Sequence, residues 1–182
     1  MSRLIRFGIV ATIIWGAAPI LSAQEGPRVE VPTISARPDD VGTIEGVLKA
    51  FYEVISGPAG QPRQWSRDRT LYIPDVRFVS MDVRDGRPHA NIMTHQEFVD
   101  RTNQGLVTNG FYETEIHHVI RRFGNTAHVF SAYEMKSGAG NPLGRGVNSI
   151  QLFWDGTRWW ISGVAWDDER PDNRIPAELL PR

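Results

Sequence analysis

The sequence predicts an α+β fold in which helices pack on one face of a curved antiparallel sheet. Two observations predict it. Long runs of helical apolar period occur only in the first part of the chain after residue 38, and four strand-like segments then follow one another at 111–123, 126–136, 146–154 and 157–166. Helices first and a meander afterwards is the layer pattern of an α+β domain. About 160 residues are enough for one such domain.

The chain opens MSRLIRFGIVATIIWGAAPILSAQE, with Arg3 and Arg6 ahead of an apolar run from Phe7 to Leu21 and then Ser22 and Ala23. This is the pattern of a secretory signal peptide over residues 1–23, and the run is shorter than the roughly 18–20 residues that span a bilayer. An uncleaved anchor is the alternative. The expectation is an exported protein, periplasmic or secreted, with no membrane association after cleavage. The chain of 182 residues has no cysteine, so disulfides, lipid attachment through a thiol and thiol chemistry are excluded. Without residues 1–23 there remain 18 basic and 21 acidic residues with no basic stripe, so no nucleic-acid partner is expected.

Residues 24–38 are polar and proline-bearing and read as a linker or surface strap. The domain itself is placed at 39–168, with an irregular tail at 169–182. Ile44, Val47, Leu48, Phe51, Tyr52 and Ile55 fall on one face of a helix of about four turns. Asp39, Asp40 or Thr43 can cap it, and Gly57-Pro58 ends it. A short helix is expected at 65–71 and a strand at 76–81. Thr94 and Glu97 have the spacing of a capping box, so a second helix starts there, with Gly105 past its end. Gly124-Asn125 and Asp155-Gly156 read as two-residue hairpin turns.

This order of elements, with the segments MTHQEFVDR, AHVFSAYE and NSIQLFWDGTRWWI, resembles the nuclear transport factor two-like superfamily. Within it, the polyketide-cyclase-like (SnoaL-like) and related bacterial proteins are the most similar. The resemblance implies a cone, a cystatin-like α+β barrel whose bent sheet wraps the N-terminal helices and leaves an apolar pocket at its wide end. Members include isomerases, dehydratases, cyclases and non-catalytic binding domains, so the fold does not decide the chemistry.

Strict alternation from Gly124-Asn125 puts Tyr112, Thr114, Ile116, His118 and Ile120 on the inner face with Val129, Ser131, Tyr133 and Met135. Glu113, Glu115, His117 and Arg121 then point outward with His128, Phe130 and Glu134. His118 and Tyr133 become candidate acid–base groups, and Tyr112, Ile116, Ser131 and Asn148 candidate ligand contacts. The bland alternative is a histidine satisfied by a hydroxyl. Isomerase members use a carboxylate base inside the cone. Alternation places no acid there, which leaves Asp75 and Asp82, flanking the first strand, as the nearest, with Asp75 the tentative third catalytic residue.

Alternation from Asp155-Gly156 puts Asn148, Ile150, Leu152, Trp154, Trp159, Ile161 and Ala165 inside. It sends Gln151, Phe153, Trp160, Val164 and Trp166 to the outer face, which is then too apolar for plain solvent exposure. The superfamily commonly dimerises through this sheet, so a homodimer through these residues is expected. Metal and cofactor signals are weak: His117 and His118 point to opposite faces of one strand, and SGAGNPLGRG at 137–146 lacks the lysine of a phosphate loop, reading instead as a long hairpin loop. DDE at 167–169 reads as a solvated turn. Neither a cofactor nor a metal is implied. The functional expectation is an exported domain that binds a small apolar molecule. Alternatives are a lyase, isomerase or cyclase using His118 and Tyr133, and a dimeric interaction module working through the outer face.

Overall fold

The computed structural model describes residues 28–182; the segment 1–23 read as a signal peptide lies outside the described residues. The helices are α1 (Pro38–Val41), α2 (Ile44–Ile55), α3 (Trp65–Arg69) and α4 (His95–Asn109). The strands are β1 (Tyr72–Arg84), β2 (Arg87–Thr94), β3 (Phe111–Phe123), β4 (Thr126–Ser137), β5 (Pro142–Trp154) and β6 (Trp159–Asp168). They form one bent sheet in the order β2-β1-β6-β5-β4-β3, whose concave face wraps α2 and α4.

Local chemistry explains the helix ends. Thr43 Oγ1 accepts the Gly46 amide at 2.9 Å and starts α2, whose Ile44, Val47, Leu48, Phe51, Tyr52 and Ile55 are buried. Thr94 and Glu97 form the reciprocal capping box at α4. Gly105 lies inside α4, which runs on to Asn109 and stops before Gly110. One exposed glycine weakens a helix by about 1 kcal/mol relative to alanine and does not end it.

Three features depart from the sequence expectation. The sheet is mixed, because β1 pairs in parallel with β6 while every other pair is antiparallel. The expected strand at 76–81 is part of a hairpin: Asp85 and Gly86, at φ 50° and 71°, make the tight turn from β1 to β2, a conformation that Asp-Gly adopts readily. The expected loop at 137–146 is mostly strand, since β5 begins at Pro142.

Two bulges change which side chains face inward. Along β3, His118 pairs with Ser131, but Glu115 pairs with Tyr133 and His117 with Ala132, so Ile116 is an extra residue. Along β6, Ile161 pairs with Leu152 but Gly163 pairs with Gln151, so Ser162 is extra; its hydroxyl donates to the Gln151 carbonyl at 3.2 Å. An extra residue reverses the alternation beyond it and sharpens the local twist. The turn into β6 also spans residues 155–158, because Asp155 Oδ1 accepts the amides of Thr157 and Arg158 at 2.7 and 2.9 Å.

The core fills the concave side with Val47, Leu48, Leu71, Val76, Val129, Ile150, Leu152 and Ile161. Trp154 and Trp159 close one end, their ring centroids 5.9 Å apart. Beside α3, Arg67 forms a buried bidentate pair with Asp40, at 2.8 and 2.7 Å, and reaches Glu53 at 2.9 Å. Residues 28–37 lie against α4: the Val29 amide donates to Asp100 Oδ1 and Gln96 Nε2 donates to the Val29 carbonyl, both at 2.8 Å. Residues 169–182 return across the outer sheet face, where Ile175 is buried. No described helix is long and apolar enough to cross a membrane.

Candidate ligand-binding site

A cavity of about 210 Å³ lies between α2, α4 and the concave sheet face. Its wall is aromatic. Phe78 of β1 stacks on Phe98 of α4, with centroids 5.0 Å apart and planes 11° from parallel, and Trp166 of β6 meets both rings edge-on at 6.5 and 6.0 Å. Phe51 and Phe111 complete this side.

The opposite end is polar and acidic. Glu113, Tyr133, Asn148 and Asp168 line it. Asn148 Nδ2 donates to Glu113 Oε1 and to the Tyr52 hydroxyl, each at 3.3 Å. The Tyr133 hydroxyl donates to Asp168 Oδ1 at 2.7 Å. Removal from bulk water pushes the Glu113 carboxyl up to about 8, and the negative charge of Asp168 acts in the same direction against the Asn148 hydrogen bond. Burial, then donation to Asp168, raises the Tyr133 phenol far above its usual range. At neutral pH the polar end therefore holds a protonated carboxyl and a neutral phenol.

Behind it, between α2 and the edge strand β3, runs an open groove lined by Tyr52, Tyr112, Glu113, Glu115 and His118. A hydrogen-bonded chain joins groove to cavity. Asn148 donates to Tyr52, the Tyr52 hydroxyl lies 2.6 Å from Ser131 Oγ, Ser131 donates to Glu115 Oε1 at 2.5 Å, and His118 Nδ1 lies 3.0 Å from Glu115 Oε2. Burial raises the Tyr52 phenol, so this chain is built of neutral hydroxyls between two carboxyl groups.

Tyr133 and Asn148 stand at the cavity, and Ser131 is buried in the hydrogen-bonded chain. His118 opens on the groove, and its partner is Glu115, so it does not meet Tyr133 as an acid–base pair. Tyr112, 39% exposed, borders the groove and not the cavity, and Ile116 is the bulged residue itself. Asp75 is exposed near the start of β1 and lines neither space. The β3 bulge accounts for Tyr112 and Ile116, since residues before Ile116 take the parity opposite to that counted from the turn. The β6 bulge likewise brings Val164 and Trp166 inside, leaving Gln151, Phe153 and Trp160 of the five outer-face residues on that face. Trp160 lies under the Arg158 guanidinium there, 3.6 Å from its centre.

Sequence reasoning missed Tyr52, Glu113, Glu115 and Asp168. Tyr52 was legible as a buried helix position but carried no sign of its hydroxyl's partners. Strict alternation sends the two glutamates outward, and Asp168 is exposed, as a solvated turn implies, yet also reaches the cavity from the end of β6.

No family model matches the chain, and no curated protein matches it. Solved structures do. A protein of unknown function with a cystatin-like fold from Nostoc punctiforme matches over 70% of this chain and 90% of its own, with TM-score 0.54 at 9% identity. A protein from Kribbella flavida matches over 71% and 90%, with TM-score 0.54 at 10% identity. An NTF2-like protein of unknown function from Methylobacillus flagellatus matches over 76% and 98%, with TM-score 0.50 at 14% identity. At these identities the likeness is one of architecture. The chain has the cystatin-like, nuclear transport factor two-like fold.

Proposed function

We propose that the protein is an exported small-molecule-binding domain whose ligand occupies the cavity of the cone. The observation that carries this is the cavity itself: aromatic side chains from α2, α4 and three strands line a space with convergent polar groups at one end. That combination is the usual makeup of a ligand site. At about 210 Å³ it lies below the roughly 300–1,000 Å³ of drug-sized sites, so it favours a compact molecule with a single ring. Native mass spectrometry of protein purified from its own host tests the reading. A retained small molecule that Val164→Trp, a cavity-filling change, expels is expected; a folded protein that carries no ligand and gains no thermal stability from any aromatic fragment overturns it.

One observation favours acid–base chemistry as a second reading. The Glu113 carboxyl, pushed up to about 8, is poised to exchange a proton near neutral pH, the condition for general acid–base catalysis. A recovered ligand that is chemically altered by the wild type and left intact by Glu113→Gln supports it; equal behaviour of the two proteins overturns it.

Export rests on residues 1–23 and is tested by N-terminal sequencing of protein from host fractions. A chain beginning near residue 24 outside the cytoplasm is expected, and retention of the first 23 residues in the membrane pellet overturns it. The homodimer rests on the outer patch of Phe130, Phe153 and Trp160. Light scattering that shows a monomer at micromolar concentration overturns that.

A further inference from the structure

We propose that the cavity takes a small organic cation, an ammonium group on a compact apolar body, with its charge between Glu113 and Asp168 and its body against the aromatic wall. This names the ligand class of the cavity and rests on the reading of that cavity as a ligand site.

Charge complementarity carries the argument. Among the described residues, two carboxyl side chains line the cavity and no lysine, arginine or histidine does. The basic side chains flanking Asp168 in sequence or across the sheet make their ion pairs with other carboxylates: Arg145 holds Glu169 at 2.7 Å, and Arg170 holds Asp167 at 2.6 Å while donating to the Asp168 backbone carbonyl at 3.2 Å. The side-chain hydrogen bond made to Asp168 comes from Tyr133, a neutral donor. The remainder of the lining is largely aromatic, and ring faces carry the negative end of the ring quadrupole, which attracts cations. Phe51, Phe78, Phe98, Phe111 and Trp166 thus add to the field of the two carboxyl groups. An anion would meet no basic partner in this lining and would face the Asp168 carboxylate and the ring faces.

The same geometry couples binding to a proton. The titratable groups facing Glu113 are Tyr52 from α2, Tyr72 from β1, Tyr133 from β4 and Asp168 from β6. Along the groove stand Glu45, Lys49 and Glu53 of α2 and Glu115 and His118 of β3. Lys49 is at the solvent boundary, 3.8 Å from Glu53, and His118 is engaged by Glu115. The phenols are neutral throughout the physiological range, because burial raises all three. Glu113 is left as the group that gives up its proton when a positive charge arrives. The proton goes to solvent, and the cation replaces it as the partner of the carboxylate.

Calorimetric titration of the full mature chain with benzyltrimethylammonium, benzyl alcohol and benzoate, in buffers of differing ionisation enthalpy, tests this. The ammonium should bind about tenfold or more tighter than benzyl alcohol, and benzoate should not bind. Below pH 8 one proton should be released per ammonium bound, with affinity rising about tenfold per pH unit, a dependence that one linked proton requires. Glu113→Gln should abolish the proton release, and Asp168→Asn should weaken the ammonium severalfold while sparing benzyl alcohol. Benzyl alcohol or benzoate binding as tightly as the ammonium, or ammonium binding without proton release, overturns the cation assignment and leaves the ligand cavity standing. Failure of all three probes, in a protein that also carries no ligand from its host, overturns both.

Discussion

Replacing Glu113 by Gln keeps the length of the side chain and an acceptor for Asn148 while removing the titration, so the two proteins differ in stability only through the proton. In the folded chain the Glu113 carboxyl is raised from an ordinary 4.5 to about 8. Between those values the native state holds a proton that the unfolded state has lost, so unfolding releases it and rising pH favours unfolding. The contribution of the protonated carboxyl is fully present below about pH 4.5 and is lost as the pH rises through about 8. Each tenfold change in proton affinity corresponds to about 1.4 kcal/mol, and because Glu113 is only half-buried solvent screens the effect, which leaves about 2–4 kcal/mol across the interval. Urea denaturation at intervals from pH 5 to pH 9 is the assay. The variant should match the wild type within about 0.5 kcal/mol at pH 5 and exceed it by about 2–4 kcal/mol at pH 9. A gap that does not grow with pH, or a variant less stable at pH 9, refutes the placement of Glu113 inside the cone.

Four further substitutions probe the fold that positions the site. Gly146→Ala puts a methyl group against the Tyr133 hydroxyl and 2.7 Å from the Asp167 carbonyl oxygen; it should cost about 2 kcal/mol in thermal unfolding, and a cost near zero would contradict the close approach of β5 to Tyr133. Val164→Arg, at a position only 3% exposed on the concave face, should prevent cooperative folding, whereas Trp160→Arg on the outer face should stay within about 1 kcal/mol of the wild type; circular dichroism melts with the opposite ranking would refute the β6 bulge. Asp40→Asn leaves the buried Arg67 with Glu53 as its charged partner and should lower the urea midpoint by the equivalent of about 2–3 kcal/mol. Because hydrogen bonds from Arg67 hold the Asp40 carboxyl below its ordinary 3.8, the wild type should lose stability relative to the variant as the pH falls below about 4, and a flat acid limb would refute the pairing.

The fold was legible wherever a pattern was long and locally caused. The helical face from Ile44 to Ile55, the Thr94–Glu97 capping box and the four strands from residue 111 onward each follow from spacing within one element, and each is present with bounds shifted by a few residues. β2 was missed although Asp85-Gly86 announces a tight turn, because RPHANIMT is an edge strand with polar residues on its open side and lacks the apolar alternation by which a strand is recognised. The parallel pairing of β1 with β6 has no local cause at all. It follows from where the last strand of the meander finds an unpaired neighbour, a property of the assembled sheet.

The site was less legible than the fold, and for one physical reason acting twice. Parity counted from a turn stays valid only until the first extra residue, and both strands that supply the acidic end of the cavity contain one. At Ile116 the bulge turns Glu113 and Glu115 inward, and at Ser162 the bulge turns Val164, Trp166 and Asp168 inward. Bulges also bend the strand that holds them, and a bent sheet is what leaves room between its concave face and α2 and α4. The irregularities that open the cavity are therefore the same ones that deliver its carboxyl groups and its tryptophan. Strict alternation would have given a flatter sheet whose inner face carries His118, Ser131, Tyr133 and Asn148 but no carboxyl group; two inserted residues give a cavity with an acidic end.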